Sequence, residues 1–243
     1  MCVGKPSRLR VRPFIIARRY TYTLIPLAAM IIGATVAAFR TPGPAVASGI
    51  QHFAAGVVFA AAASEILPDL KQSGSVLAIM IGGTAGLAAM LGVKWLGSRA
   101  KGGAGLVAVT GIDILIDGLV LGIGFAAGAR QGIILTIALT MEVLFLGLTM
   151  ALELRQAVAS RILAATITGA VGLLLPTGAA LGTLAGGLPQ FDLAVLFAFG
   201  LIALLYLVTE ELLVEAHEKP DNAVITSMFF VGFLLLIALE EAV

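Results

Sequence analysis

Two aspartates, Asp113 and Asp117, sit inside the apolar run GLVAVTGIDILIDGLVLGIGF. As a helix, a run of that length matches the hydrocarbon thickness of a bilayer, so the segment reads as a membrane span. A carboxylate at bilayer depth costs at least ~2.5 kcal/mol on insertion scales. Two on one helix restrict the fold to a bundle that turns them toward protein, water or a cation. Residues i and i+4 of a helix lie on one face, one turn apart, so both aspartates point the same way. Glu142 adds a third carboxylate in the next apolar segment, ILTIALTMEVLFLGLTMAL. Three acidic side chains directed into a helix bundle point to a path for a divalent cation.

The rest of the chain agrees with a membrane setting. It is 60% hydrophobic and 12% charged, with a mean hydropathy of +1.08, outside the range of soluble domains. One cysteine, Cys2, supports neither a disulfide framework nor a thiolate metal site. Two histidines, His52 and His217, exclude a His-rich cluster, and a net charge of +1 argues against a nucleic-acid surface. Abundant Gly and Ala allow helices to approach closely through small-residue faces. The fold class expected is an all-α integral membrane protein of eight transmembrane helices in one bundle.

Hydropathy and the Gly, Pro and charge punctuation place the spans near 21–40, 46–67, 74–97, 104–127, 131–152, 159–185, 192–215 and 223–241. The loops between them are too short to hold an extramembrane domain. Residues 1–19 carry Lys5, Arg8, Arg10, Arg12, Arg18 and Arg19 and read as a disordered basic tail, with the transporter domain at 20–243. A cleaved signal peptide competes, but the apolar part is too long for one, which favours an uncleaved first helix. The loops after spans 1, 3, 5 and 7 hold Arg40, Arg99, Lys101, Arg155 and Lys219, against Lys71 and Arg130 on the other side. The positive-inside rule then puts both termini outside, while the tail's own charges favour the reverse.

Further acids cluster toward two helix ends. SEILPDL carries Glu65 and Asp69 around Pro68, and LYLVTEELLVEAHEKP carries Glu210, Glu211, Glu215, His217 and Glu218. Each has a bland reading, that of an acid ending a hydrophobic helix at the water interface. For Asp113, Asp117 and Glu142 the bland reading is a set of protonated carboxyls hydrogen-bonded between helices. His52 reads as a satisfied interfacial histidine. Gly118, Gly122 and Gly147 read as close-packing positions, Pro176 as a break in the sixth helix, and Trp95 as an interfacial anchor.

Four stretches, in order, resemble the ZIP (Zrt/Irt-like) family of divalent metal transporters. HFAAGVVFAAAASEILPDL is similar to that family's second helix, which ends in His-Leu-Leu-Pro-Glu. DILIDGLVLG resembles the fourth-helix pattern His-Asn-x-Pro-Glu-Gly, and EVLFLGLTMA the fifth-helix pattern His-x-x-Pro-Glu-Gly. LYLVTEELLVEAHE is similar to the seventh-helix pattern His-Glu-Leu-Ile-Pro-Glu-Ala-His. On this alignment Asp113 and Asp117 replace the fourth-helix His and Glu, and Glu142 replaces the fifth-helix His. Glu65 and Glu210 replace histidines of the second and seventh helices. Leu146, Leu175, Ile114 and Val143 stand where the family has polar ligands. The resemblance therefore implies a two-metal centre reduced to one site of Asp113, Asp117 and Glu142.

The resemblance also implies alternating access, with helices 1, 4, 5 and 6 moving against 2, 3, 7 and 8. Glu65, Asp69, Glu210, Glu211 and Glu215 are then expected to form an acidic route on one side. Carboxylates in place of imidazoles shift the preference from zinc toward harder ions such as Mn²⁺, Mg²⁺ or Fe²⁺. The function expected is a secondary transporter of divalent cations, not an enzyme. It has no cofactor beyond the transported ion and no partners beyond the bilayer and that ion, and a homodimer is left open. Short loops suit a prokaryotic inner membrane. The rival reading is a non-transporting ZIP-like protein, a metal sensor or a structural element.

Overall fold

The computed structural model describes residues 12–40, 42–73, 75–99, 102–218 and 222–242. Cys2, Lys5, Arg8, Arg10, Lys101 and Lys219 lie outside the described residues. Eight helices are long and apolar enough to cross a membrane, and no strand occurs among the described residues. They are α1 (Arg12–Phe39), α2 (Pro44–Gln72), α3 (Val76–Arg99), α4 (Gly102–Ala127), α5 (Ala129–Ala157), α6 (Arg161–Gly187), α7 (Gln190–His217) and α8 (Ala223–Ala242). The protein is a multi-pass membrane protein. In hydrocarbon each backbone N–H and C=O needs an internal partner, and an uninterrupted helix supplies one for nearly all of them.

The helix borders follow local chemistry. Asn222 caps α8, its Oδ1 accepting from the backbone N–H groups of Val224 and Ile225 at 3.0 Å each. Ser160 caps α6 by accepting from the Leu163 N–H at 3.3 Å. Gly102 opens α4 at φ 76°, a left-handed conformation that side-chain-bearing residues rarely adopt. One expectation needs correction here. The first helix begins at Arg12, so residues 12–19 continue it instead of forming a disordered tail.

Glycines tie the eight helices into four pairs, as small-residue faces in membranes do. A Cβ on Gly33 of α1 would strike the Leu144 carbonyl of α5, and one on Gly147 of α5 would strike the Met30 backbone of α1. Gly56 of α2 faces the Phe229 carbonyl of α8, and Gly232 of α8 returns the contact to Phe53. Gly82 and Gly86 of α3 face the Val195 and Phe199 carbonyls of α7. Gly118 and Gly122 of α4 meet Leu175 and Ala179 of α6, while Gly178 and Gly182 of α6 meet Leu115 and Leu119 of α4. The pairs are thus α1–α5, α2–α8, α3–α7 and α4–α6. The outer faces of α3 and α8 present Leu77, Met80, Phe230 and Leu234 to the exterior, each more than 60% exposed. An apolar surface of that kind suits lipid contact.

Three helices depart from regular α geometry. In α6 the ladder breaks at Gly172–Leu173, one turn before Pro176. Pro176 has no N–H to offer the Gly172 carbonyl, which is taken instead by the Leu175 N–H at 3.1 Å. In α2 residues Ala62–Ile66 form a wide π turn, closed by the Leu67 N–H on the Ala62 carbonyl. It lies immediately before Pro68, so the helix passes the proline and continues to Gln72, beyond the expected end at 67. In α7 residues Leu207–Leu212 form a second π turn, closed by the Leu213 N–H on the Val208 carbonyl. Wide turns of this kind are frequent at functional sites.

Candidate functional site

Asp113 and Asp117 lie about 16 and 22 Å along α4 from its start, at ~1.5 Å per residue, near mid-span. Glu142 holds the matching depth of the antiparallel α5. All three are buried, at 5%, 2% and 1% exposure, so neither aspartate faces lipid. The carboxyls of Asp117 and Glu142 lie within hydrogen-bonding range of each other. Both oxygens of Glu142, Oδ1 of Asp113 and Oδ2 of Asp117 are nevertheless buried without a donor. Carboxylates only accept, so two of them meet without conflict only around a shared proton or a cation.

Asp113 and Glu142 face one cavity with Gln51 of α2, Leu146 and Thr149 of α5, and Glu211 and Glu215 of α7. Its volume of about 20 Å³ is close to the minimum that admits one water or one bare ion. Asp117 sits one turn further along α4, behind this cavity. The structure thus brings Asp117 to Glu142, and Asp113 and Glu142 to a common space. Among the described residues no three His, Cys, Asp or Glu side chains already close to metal-holding geometry.

The flanking acids are distributed differently from the expectation of one acidic route. Glu65 and Asp69 line a separate narrow cavity with Ile123, Gly124, Gln131 and Gly200, toward the end of α4 and the start of α5. A wider opening beyond it is bordered by Asp69, Gln72, Gln190 and Phe197. Glu211 and Glu215 lie at the other end, where α7 finishes beside the start of α2. The physical reason is antiparallelism. Glu65 and Asp69 come late in α2 and Glu211 late in α7, so their shared position near a helix end puts them at opposite faces of the membrane.

Glu210 also departs from expectation. It is exposed and ion-paired with Lys94 of α3 at 2.9 Å, outside the cavity. The π turn of α7 changes the register so that Glu211, not Glu210, faces Asp113 and Glu142. Sequence reasoning missed Gln51, which is buried and donates from Nε2 to the Glu215 Oε2 at 2.6 Å. Its signal was present: an amide one residue before His52, in an otherwise small and apolar stretch. Leu146 lines the cavity and Leu175 is fully buried, so both aliphatic replacements fall close to the polar axis.

His52 is not fully satisfied, as the sequence suggested it would be. Its Nδ1 meets the Ser48 carbonyl at 2.9 Å, but its buried Nε2 has no partner. Comparison of the chain with models of known protein families and with curated proteins gave no match.

Proposed function

We propose that the protein is a secondary transporter that moves divalent metal cations of the zinc, manganese or iron class across a membrane. The ion would pass through the carboxylate-lined site between α4 and α5. On this reading it is a divergent relative of the ZIP family, placed in a prokaryotic inner membrane. One observation carries the reading: Asp113, Asp117 and Glu142 bury donorless oxygens at mid-span, next to a cavity that continues through Glu211, Glu215 and Gln51 toward one face. Glu65 and Asp69 supply an acidic approach from the other face. A transmembrane carboxylate is costly unless a proton or cation offsets its charge, and such residues commonly mark ion pathways.

The donor set is all oxygen, which suits harder ions more than zinc. The pairing of helices supports alternating access as well. A division into α1, α4, α5, α6 and α2, α3, α7, α8 separates no glycine-tied pair. It runs between Asp113, Asp117 and Glu142 on one side and Gln51, Glu65, Glu211 and Glu215 on the other. A cation released by the first group would therefore meet the second as the halves part.

The second reading, a non-transporting sensor or structural protein with shared protons, draws on Leu146 and Leu175 beside the polar axis. Uptake of Mn²⁺, Fe²⁺ and Zn²⁺ into proteoliposomes distinguishes the two. Wild-type protein should show saturable uptake of at least one ion, and Asp113→Asn, Asp117→Asn and Glu142→Gln should each reduce it at least tenfold. Unchanged uptake in all three variants would place the path elsewhere. No uptake by the folded wild type would leave the second reading.

A further inference from the structure

We infer that His52 and His217 form a second metal site, at the end of the bundle where α2 starts and α7 finishes, selective for a borderline transition cation such as Zn²⁺. The two imidazole rings lie with centroids 4.9 Å apart and planes at 65°. Two imidazoles bound to one tetrahedral ion at ~2.0–2.1 Å per nitrogen place their centroids roughly 5 Å apart. The spacing present is therefore the spacing a shared ion requires.

The hydrogen bonds around the rings fix the tautomer that ligation needs. His52 Nδ1 lies 2.9 Å from the Ser48 carbonyl, and His217 Nδ1 lies 2.6 Å from the Leu213 carbonyl. Carbonyl oxygens only accept, so both Nδ1 atoms carry the proton in the neutral rings and both Nε2 atoms carry a lone pair. A backbone carbonyl behind a histidine is the usual outer support of a metal-ligating ring. The Ser48 hydroxyl, 3.5 Å from His52 Nδ1, has its own hydrogen on the Ala216 carbonyl at 2.9 Å. His52 is 1% exposed and its Nε2 has no partner, a buried acceptor with nothing to accept.

The frame around the pair is already assembled. Ser48 bonded to Ala216 and Gln51 bonded to Glu215 lock α2 to α7 on either side of the rings. A groove lined by Thr209, Leu213, His217 and Glu218 opens to the outside, giving entry and room for water to complete the coordination. Nitrogen donors set this site apart from the oxygen donors at mid-span, and it stands whether or not the protein transports.

The test uses full-length protein with any affinity tag removed, in detergent, and a background variant carrying Asp113→Asn, Asp117→Asn and Glu142→Gln. Zn²⁺ is titrated by calorimetry, and Co²⁺ is followed by its visible absorption. One Zn²⁺ per chain should persist in the background variant. Its affinity should fall at least tenfold when His217→Ala or His52→Gln is added, with loss of the Co²⁺ band. His217 is exposed, so His217→Ala leaves the fold intact and decides the matter alone if His52→Gln does not fold. Zn²⁺ affinity unaltered by the histidine changes would overturn the site. So would Zn²⁺ binding that vanishes in the background variant with both histidines present.

Discussion

Gly118→Ala tests the helix pairing most directly. A Cβ there would collide with the Leu175 carbonyl oxygen, and would lie 2.9 Å from the Leu175 carbon and 3.0 Å from the Ala179 nitrogen. All three are backbone atoms, so no rotamer change relieves the clash. Ordinary contact needs ~3.5–4.0 Å between such atoms, and α4 and α6 must part by about an ångström. Overpacking of this kind costs ~1–3 kcal/mol. Replacing a helical glycine returns ~0.8–1.0 kcal/mol. Parting the helices also loosens the reciprocal contacts of Gly178 and Gly182, so the expected net loss is about 1–2 kcal/mol. At ~2–4 °C per kcal/mol that lowers Tm by roughly 2–8 °C. Gly92→Ala in α3 is the control: a Cβ there meets nothing within 4 Å, so Tm should rise by a few degrees through helix propensity alone. Thermal unfolding in detergent, read by size-exclusion recovery, measures both. A Gly118→Ala protein as stable as wild type would refute the backbone interlock.

Three other substitutions probe the polar axis. Glu210→Gln removes an exposed ion pair worth less than ~1 kcal/mol, and uptake should stay within twofold of wild type. Glu211→Gln, one residue on, should lower uptake at least tenfold, and equal effects of the two would contradict the register set by the π turn. Leu146→Glu adds a carboxylate to the cavity shared by Asp113 and Glu142. It should tighten Mn²⁺ binding in equilibrium dialysis at least tenfold while slowing uptake, because release must compete with stronger holding. Faster uptake would count against a single-site path.

The spans were legible because hydropathy reports burial in lipid directly, and every one was placed within a few residues except where a helix continued past Pro68. That continuation was hidden because a π turn is a matter of backbone bonding, and SEI carries no side chain that announces it. The same blindness exchanged Glu210 for Glu211: a helical wheel drawn at 100° per residue fails across a turn that holds an extra residue. Asp113, Asp117 and Glu142 were readable as inward-facing because lipid leaves them nowhere else to point. The opposite placement of Glu65 and Glu211 needed the direction of each helix, which hydropathy leaves unused. Gly118 and Gly122 were recognised as packing residues, yet their partners in α6 were not, since small residues recur on almost every helix here.

The wide turns of α2 and α7 also make these helices tolerant of a change that others would not survive. Each spends one residue more than the regular repeat demands. Deleting Ser64 or Thr209 would convert the local spiral to the ordinary kind with every remaining amide still satisfied. It would also swing all that follows by about 100° relative to what precedes it. Shortening the chain by one residue at Leu121 of α4 would instead throw half of a tightly fitted helix off its neighbours. The surplus residues therefore mark the two places where natural length variation in a span could redirect carboxylates without dismantling the span itself.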